Sequence, residues 1–132
     1  SNLIIPAFIG YVNQVAPVYG PTASYFWVSD NTLEEDWTEF KAEIDAGYPM
    51  VFLVDTDGNG GTDHFVPVIG YRDAPESAVK QYACWDTWYS SVRWCNFEQM
   101  KSGSPWGIWG GYTFRLNAPE ASVENNGWDI YR

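Results

Sequence analysis

From Tyr48 onward the chain repeats one device: a short apolar or alternating run, then a loop of Gly, Asp, Asn and Ser. The runs are Tyr48 to Val54, Phe65 to Tyr71, Val79 to Asp86, Val92 to Phe97 and Trp109 to Leu116, and each has strand length and strand composition. A helix precedes them. Thr32 and Glu35 have the spacing of a capping box, Glu34, Glu35 and Asp36 load the first turn with negative charge, and Leu33, Trp37, Phe40 and Ile44 share one face. Gly47 supplies the left-handed stop. The expected fold is therefore α+β, a mainly antiparallel sheet with one clear helix packed against it. Pro67 cannot donate to a ladder, so its strand is expected to be an edge there or to carry a bulge. Before Thr32, the placement of Phe8, Tyr11, Val12 and Val15 permits a short helix ended by Pro17 and Pro21. Residues 1–116 are taken as the domain, Asn117 to Ser122 as a linker and Val123 to Arg132 as a terminal arm.

Composition narrows the class of partner. A net charge of −10 argues against nucleic acid and against anionic membrane surfaces, because their phosphates would be repelled. No run approaches the length of a transmembrane helix, so no membrane partner is expected. Aromatic residues make up 18% of the chain, with eight tryptophans, more than a small core consumes. Some rings should therefore lie on the surface or line a groove. The acidic balance, abundant aromatics and few lysines suit a secreted or cell-surface bacterial protein.

His64 is the only histidine and opens the run His64-Phe65-Val66-Pro67-Val68-Ile69-Gly70-Tyr71. Asp86 lies in the next run, Tyr82-Ala83-Cys84-Trp85-Asp86-Thr87-Trp88. An imidazole titrates near neutrality, so a histidine at a strand start facing a carboxylate suits proton transfer. Together with Gly47-Tyr48-Pro49-Met50-Val51-Phe52, these segments resemble, in order and spacing, the second half of a papain-fold cysteine peptidase of the bacteriocin-processing type. That resemblance implies His64 as the base activating a thiol and Asp86 as the group orienting the imidazole. It implies a peptide or protein substrate and no cofactor.

The family's cysteine has no match in this chain. Tyr19-Gly20-Pro21-Thr22-Ala23 resembles the nucleophile box with Tyr19 in place of cysteine, the mark of a pseudoenzyme. Tyr19 stands close to His64 in sequence for this fold, and the chain begins without an initiator methionine. A domain truncated at its N-terminus, its cysteine upstream of Ser1, is the expectation, with the pseudoenzyme as the alternative. A half-built cleft would be completed by an upstream segment or by self-association.

Other residues support more than one role. If Tyr89 and Ser90 form a hairpin tip, Asp86 falls opposite Arg93 and could serve only as half of an ion pair. The same register sets Cys84 opposite Cys95, where a disulfide can form. Cys84 as a displaced nucleophile is a poor alternative. Asp55, Asp57, Asn59 and Asp63 match the first half of a calcium loop, but Val66 stands where the bidentate Glu belongs; local Asx turns are the simpler role. Trp88 and Trp106 are the candidate substrate-binding rings, with Trp106 in a Gly-Ser-Pro-Trp-Gly loop. The expected function is peptide-bond hydrolysis by the complete domain. The alternative is a non-catalytic module that holds a peptide or glycan on exposed aromatics.

Overall fold

The computed structural model describes residues 3–74 and 78–117. The expected linker beyond Asn117 and the terminal arm lie outside the described residues. The elements in order are α1 (Ile4–Val15), β1 (Thr22–Trp27), α2 (Leu33–Asp45), β2 (Met50–Asp55), β3 (His64–Ala74), β4 (Val79–Cys84), β5 (Arg93–Asn96) and β6 (Gly107–Arg115). The six strands form one sheet in the order β1-β6-β2-β3-β4-β5. β2 pairs antiparallel with β3 and with β6, β3 with β4, and β4 with β5. The fold is α+β, and all five expected strands are present with shifted ends. Among the described residues no helix is long and apolar enough to cross a membrane.

The described residues fall into two compact units, 3–24 with 114–117, and 25–74 with 78–113. In the smaller, Phe8 of α1 meets Phe114 edge to face at 4.9 Å. The Asn117 side chain donates to the Gly20 carbonyl at 2.7 Å, and its N–H bonds the carbonyl of Tyr19. The short helix permitted by Phe8, Tyr11, Val12 and Val15 is therefore present as α1.

The larger unit holds the main core. Trp37 and Phe40 of α2 pack on Phe97 at 5.0 and 5.3 Å, and Phe40 meets Phe52 of β2 at 5.3 Å. Phe52 also stacks on Phe26 at 5.7 Å and meets the edge of Tyr82 at 5.2 Å. Burying each such ring contributes roughly 1.5–3 kcal/mol, which makes this cluster the main source of cohesion.

Four local expectations need correction. The sequence reading places no strand before α2, yet β1 forms with Phe26 buried and Tyr25 and Trp27 exposed, and Val28 just past its end is buried, a period of two carried by β-favouring aromatics. Thr32 and Glu35 make no capping box. A 3-10 turn, Asp30–Thr32, precedes α2, and Asp36 reaches back to accept from the Ser29 N–H and the Thr32 hydroxyl, both at 2.9 Å. Pro67 is not on an edge, since β3 is interior; the alternative of a bulge holds, because pairing with β4 shifts between Val68 and Gly70. Cys84 and Cys95 are not opposed: Cys84 pairs with Arg93 and Cys95 with Tyr82, and both thiols are free and buried. The end of α2 is as expected. Gly47 has φ +82°, its N–H bonds Ile44, and Tyr48 bonds Glu43, the paired bonds of a Schellman stop.

Candidate functional site

β3 opens on His64, opposite Val54 of β2, and the loop after β4 brings Asp86, Thr87 and Trp88 to it. His64 Nε2 lies 2.7 Å from the main-chain oxygen of Asp86 and 3.2 Å from the Thr87 hydroxyl. A carbonyl only accepts, so Nε2 carries the ring proton and Nδ1 is left as the basic nitrogen. The indole of Trp88 stacks on the imidazole at 4.4 Å and 12°. Histidine and aspartate thus meet, as the sequence suggests, but through the backbone of Asp86.

The Asp86 carboxylate is engaged elsewhere. Oδ1 accepts from the N–H groups of Trp88 and Tyr89 at 2.9 and 3.0 Å, and Oδ2 accepts from Arg93 Nε at 2.9 Å. The Tyr89 N–H, with the Trp88 N–H and the Arg93 guanidinium, outweighs burial and holds this carboxyl below the usual range. The ion pair with Arg93 weighed from the sequence is therefore present, although Arg93 reaches it from the position opposite Cys84.

Trp88 and Trp106 belong to the same cluster. Their rings meet at 5.8 Å and 71°, and the Arg93 guanidinium lies 4.3 Å from the centre of Trp106. Trp88 is 55% exposed, whereas Trp106 is half-buried against the core. Trp106 and Thr87 both have positive φ, +66° and +69°, an unusual state for a bulky or β-branched residue. Trp106 is pinned on both sides: its N–H bonds the Asp55 carbonyl at 2.6 Å, and its carbonyl accepts from the Tyr82 hydroxyl at 2.8 Å.

Asp55 also organises the loop read as a calcium candidate. Its buried carboxylate accepts from the N–H groups of Gly58, Asn59 and Gly60 at 2.9, 3.2 and 2.7 Å. Burial alone would raise its pKa, but those three N–H donors, led by Gly60, lower it. Carboxylate oxygens of Asp55, Asp57 and Asp63 lie within 4.8 Å of one another. Asp57 accepts from the Asn59 N–H and side-chain amide, and Asp63 from the N–H and hydroxyl of Thr56. Each donor of the candidate set is thus already part of a local turn.

Both thiols lie in the core, hydrogen-bonded to each other, and Cys95 also meets the Tyr82 hydroxyl. Cys84 is fully buried, and contact with Cys95 together with burial pushes its thiol far above the ordinary range. Tyr19 ends a 3-10 turn, Pro17–Tyr19, in the smaller unit.

Sequence reasoning missed Thr87 and the Asp86 carbonyl. The signal was present: an Asp followed by Thr-Trp-Tyr is an Asx-turn former, which turns the chain at Asp86 and ends the strand. No protein-family model, no curated protein and no solved structure matches this chain.

Proposed function

We propose that this chain is the histidine-bearing part of a papain-like cysteine peptidase domain, secreted or displayed at a cell surface, that cleaves peptide bonds. The supporting observation is the imidazole of His64, fixed by Asp86 O on one side and Trp88 on its face, with Nδ1 as the base. A thiol brought to Nδ1 would lose its proton there and attack the peptide carbonyl; His64 would then return the proton to the leaving amine. Both cysteines of the chain are buried in its core, so the attacking thiol belongs to a segment outside it. Trp88, exposed beside the imidazole, is the ring best placed to meet substrate.

The test is hydrolysis of a peptide library by the full product of the gene. Cleavage blocked by thiol alkylation and abolished by H64A supports the proposal. Cleavage indifferent to H64A, or absent from the full product, overturns it.

A second reading is a non-catalytic module that binds peptide or glycan. It is favoured by the aromatic set on the sheet face away from α2, where Tyr25 and Trp27 stack at 5.8 Å and Trp27 meets Trp109 at 4.7 Å, all three exposed. Quenching of tryptophan fluorescence by peptides or oligosaccharides, lost in W27A but not in H64A, would select this role.

A further inference from the structure

The Asp86 carboxylate and the His64 imidazole both meet the turn that begins at Asp86, but each has separate partners. The carboxylate is 2% exposed and takes three donors: two N–H groups that follow it in sequence, and Arg93 across the hairpin. The two N–H bonds close an Asx-type turn over Thr87, whose φ of +69° places Trp88 against the imidazole. A β-branched residue resists that conformation, so the turn requires an external hold. Arg93 provides one, since it bonds Oδ2 while its guanidinium lies over Trp106, itself fixed by Asp55 and Tyr82.

We infer that Arg93 and the Asp86 carboxylate form a clamp that shapes the Asp86–Tyr89 turn, so that the main-chain carbonyl of Asp86, not its side chain, orients His64. Arg93 and the carboxylate are then positioning residues, and the hydrogen bonds of His64 Nε2 go to the Asp86 carbonyl and the Thr87 hydroxyl. This deepens the peptidase proposal and rests on it for its biological meaning, but its test uses no activity.

Two NMR measurements on the chain as it stands decide the matter. In the first, H64F is compared with the parent protein. Loss of the imidazole should move the Asp86 carbonyl carbon and leave its side-chain Cγ in place. Movement of Cγ with a stationary carbonyl would overturn the inference, because it would mean that the carboxylate faces the ring.

The second measurement follows exchange of the His64 Nε2 proton with water. R93A should accelerate it about fivefold to tenfold, the scale of one weakened hydrogen bond, while core amides of Phe52 and Val54 keep their protection. R93K should recover part of the loss, since the ammonium still meets the carboxylate but lacks the planar fork. Exchange in R93A within about twofold of the parent would overturn the clamp, being less than a lost bond should cause. Failure of the full gene product to cleave peptides would remove the peptidase proposal and leave these outcomes untouched.

Discussion

Tyr82→Phe removes a single oxygen from the middle of β4 and tests whether the strained Trp106 is held as described. The Tyr82 ring is fully buried and meets Phe52 edge to face at 5.2 Å, so its packing survives the change. What disappears is the donor to the Trp106 carbonyl, 2.8 Å away, together with the hydroxyl's contact with the buried Cys95 thiol. The net value of such a bond is roughly 0.5–1.5 kcal/mol, and stranding a part-buried acceptor raises the loss toward about 2 kcal/mol. A counter-term comes from Trp106, whose positive φ stores roughly 1–3 kcal/mol that freedom of the carbonyl could relieve. Relief is partial, because the Trp106 N–H remains bonded to Asp55. The balance is a loss of about 1 kcal/mol. Urea unfolding followed by tryptophan fluorescence should show it. With a slope of about 1–3 kcal/mol per molar, the midpoint falls by roughly 0.3–1 M at unchanged slope. A midpoint within about 0.1 M of the parent would refute the idea that the Tyr82 hydroxyl holds this loop.

Phe52→Ala empties the centre of the ring cluster, where Phe52 is fully buried among Phe26, Phe40 and Tyr82, and should cost about 3–5 kcal/mol in the same assay; a loss under about 1 kcal/mol would place the core elsewhere. Acid should destabilise the fold through Asp55 and Asp86. Both carboxyls lie below the ordinary value in the folded state, so their stabilisation is complete above the unfolded value of 3.8 and is lost as pH falls through the lowered folded values. A melting temperature that stays constant from about pH 5 to pH 2 would contradict this. Calcium should give no saturable heat in calorimetry, because Asp55, Asp57 and Asp63 are already bonded to N–H and hydroxyl donors of their own loop. Saturable binding in the millimolar range or tighter, with a raised melting temperature, would show that the ion displaces those turns.

What the sequence made legible was governed by neighbours in the chain. The stop of α2 at Gly47 needs one residue that tolerates positive φ, and the apolar stripe Leu33, Trp37, Phe40 and Ile44 follows from helical period alone. The start of α2 is less legible because three acidic residues share its first turn. Asp36 reaches both Ser29 and Thr32, and a box between Thr32 and Glu35 loses to it. β1 escaped notice because a six-residue strand between a Pro-rich turn and a helix has little room to show its period. Pro67 is tolerated in an interior strand because its missing donor falls just past the last β3–β4 pair, Val68 with Cys84, where its carbonyl accepts from the Trp85 N–H, a place that pairing alone could reveal.

The histidine site shows the same limit at the scale of two residues. The sequence reading centres the β4–β5 hairpin so that Asp86 faces Arg93 and Cys84 faces Cys95. The structure pairs Cys84 with Arg93, and the ladder ends there. That slip has a chemical consequence. Asp86 stands two residues beyond the last pair, so its carbonyl is not consumed by a cross-strand bond and can accept from His64. Beyond the ladder, its carboxylate is free to close the Asx turn over Thr87. Had the expected register formed, β4 would run on through Asp86, and the carbonyl that now fixes the imidazole would belong to the ladder. Proximity of His64 and Asp86 was thus visible in the spacing of two strands, while the atom that joins them depends on where the hairpin lets go.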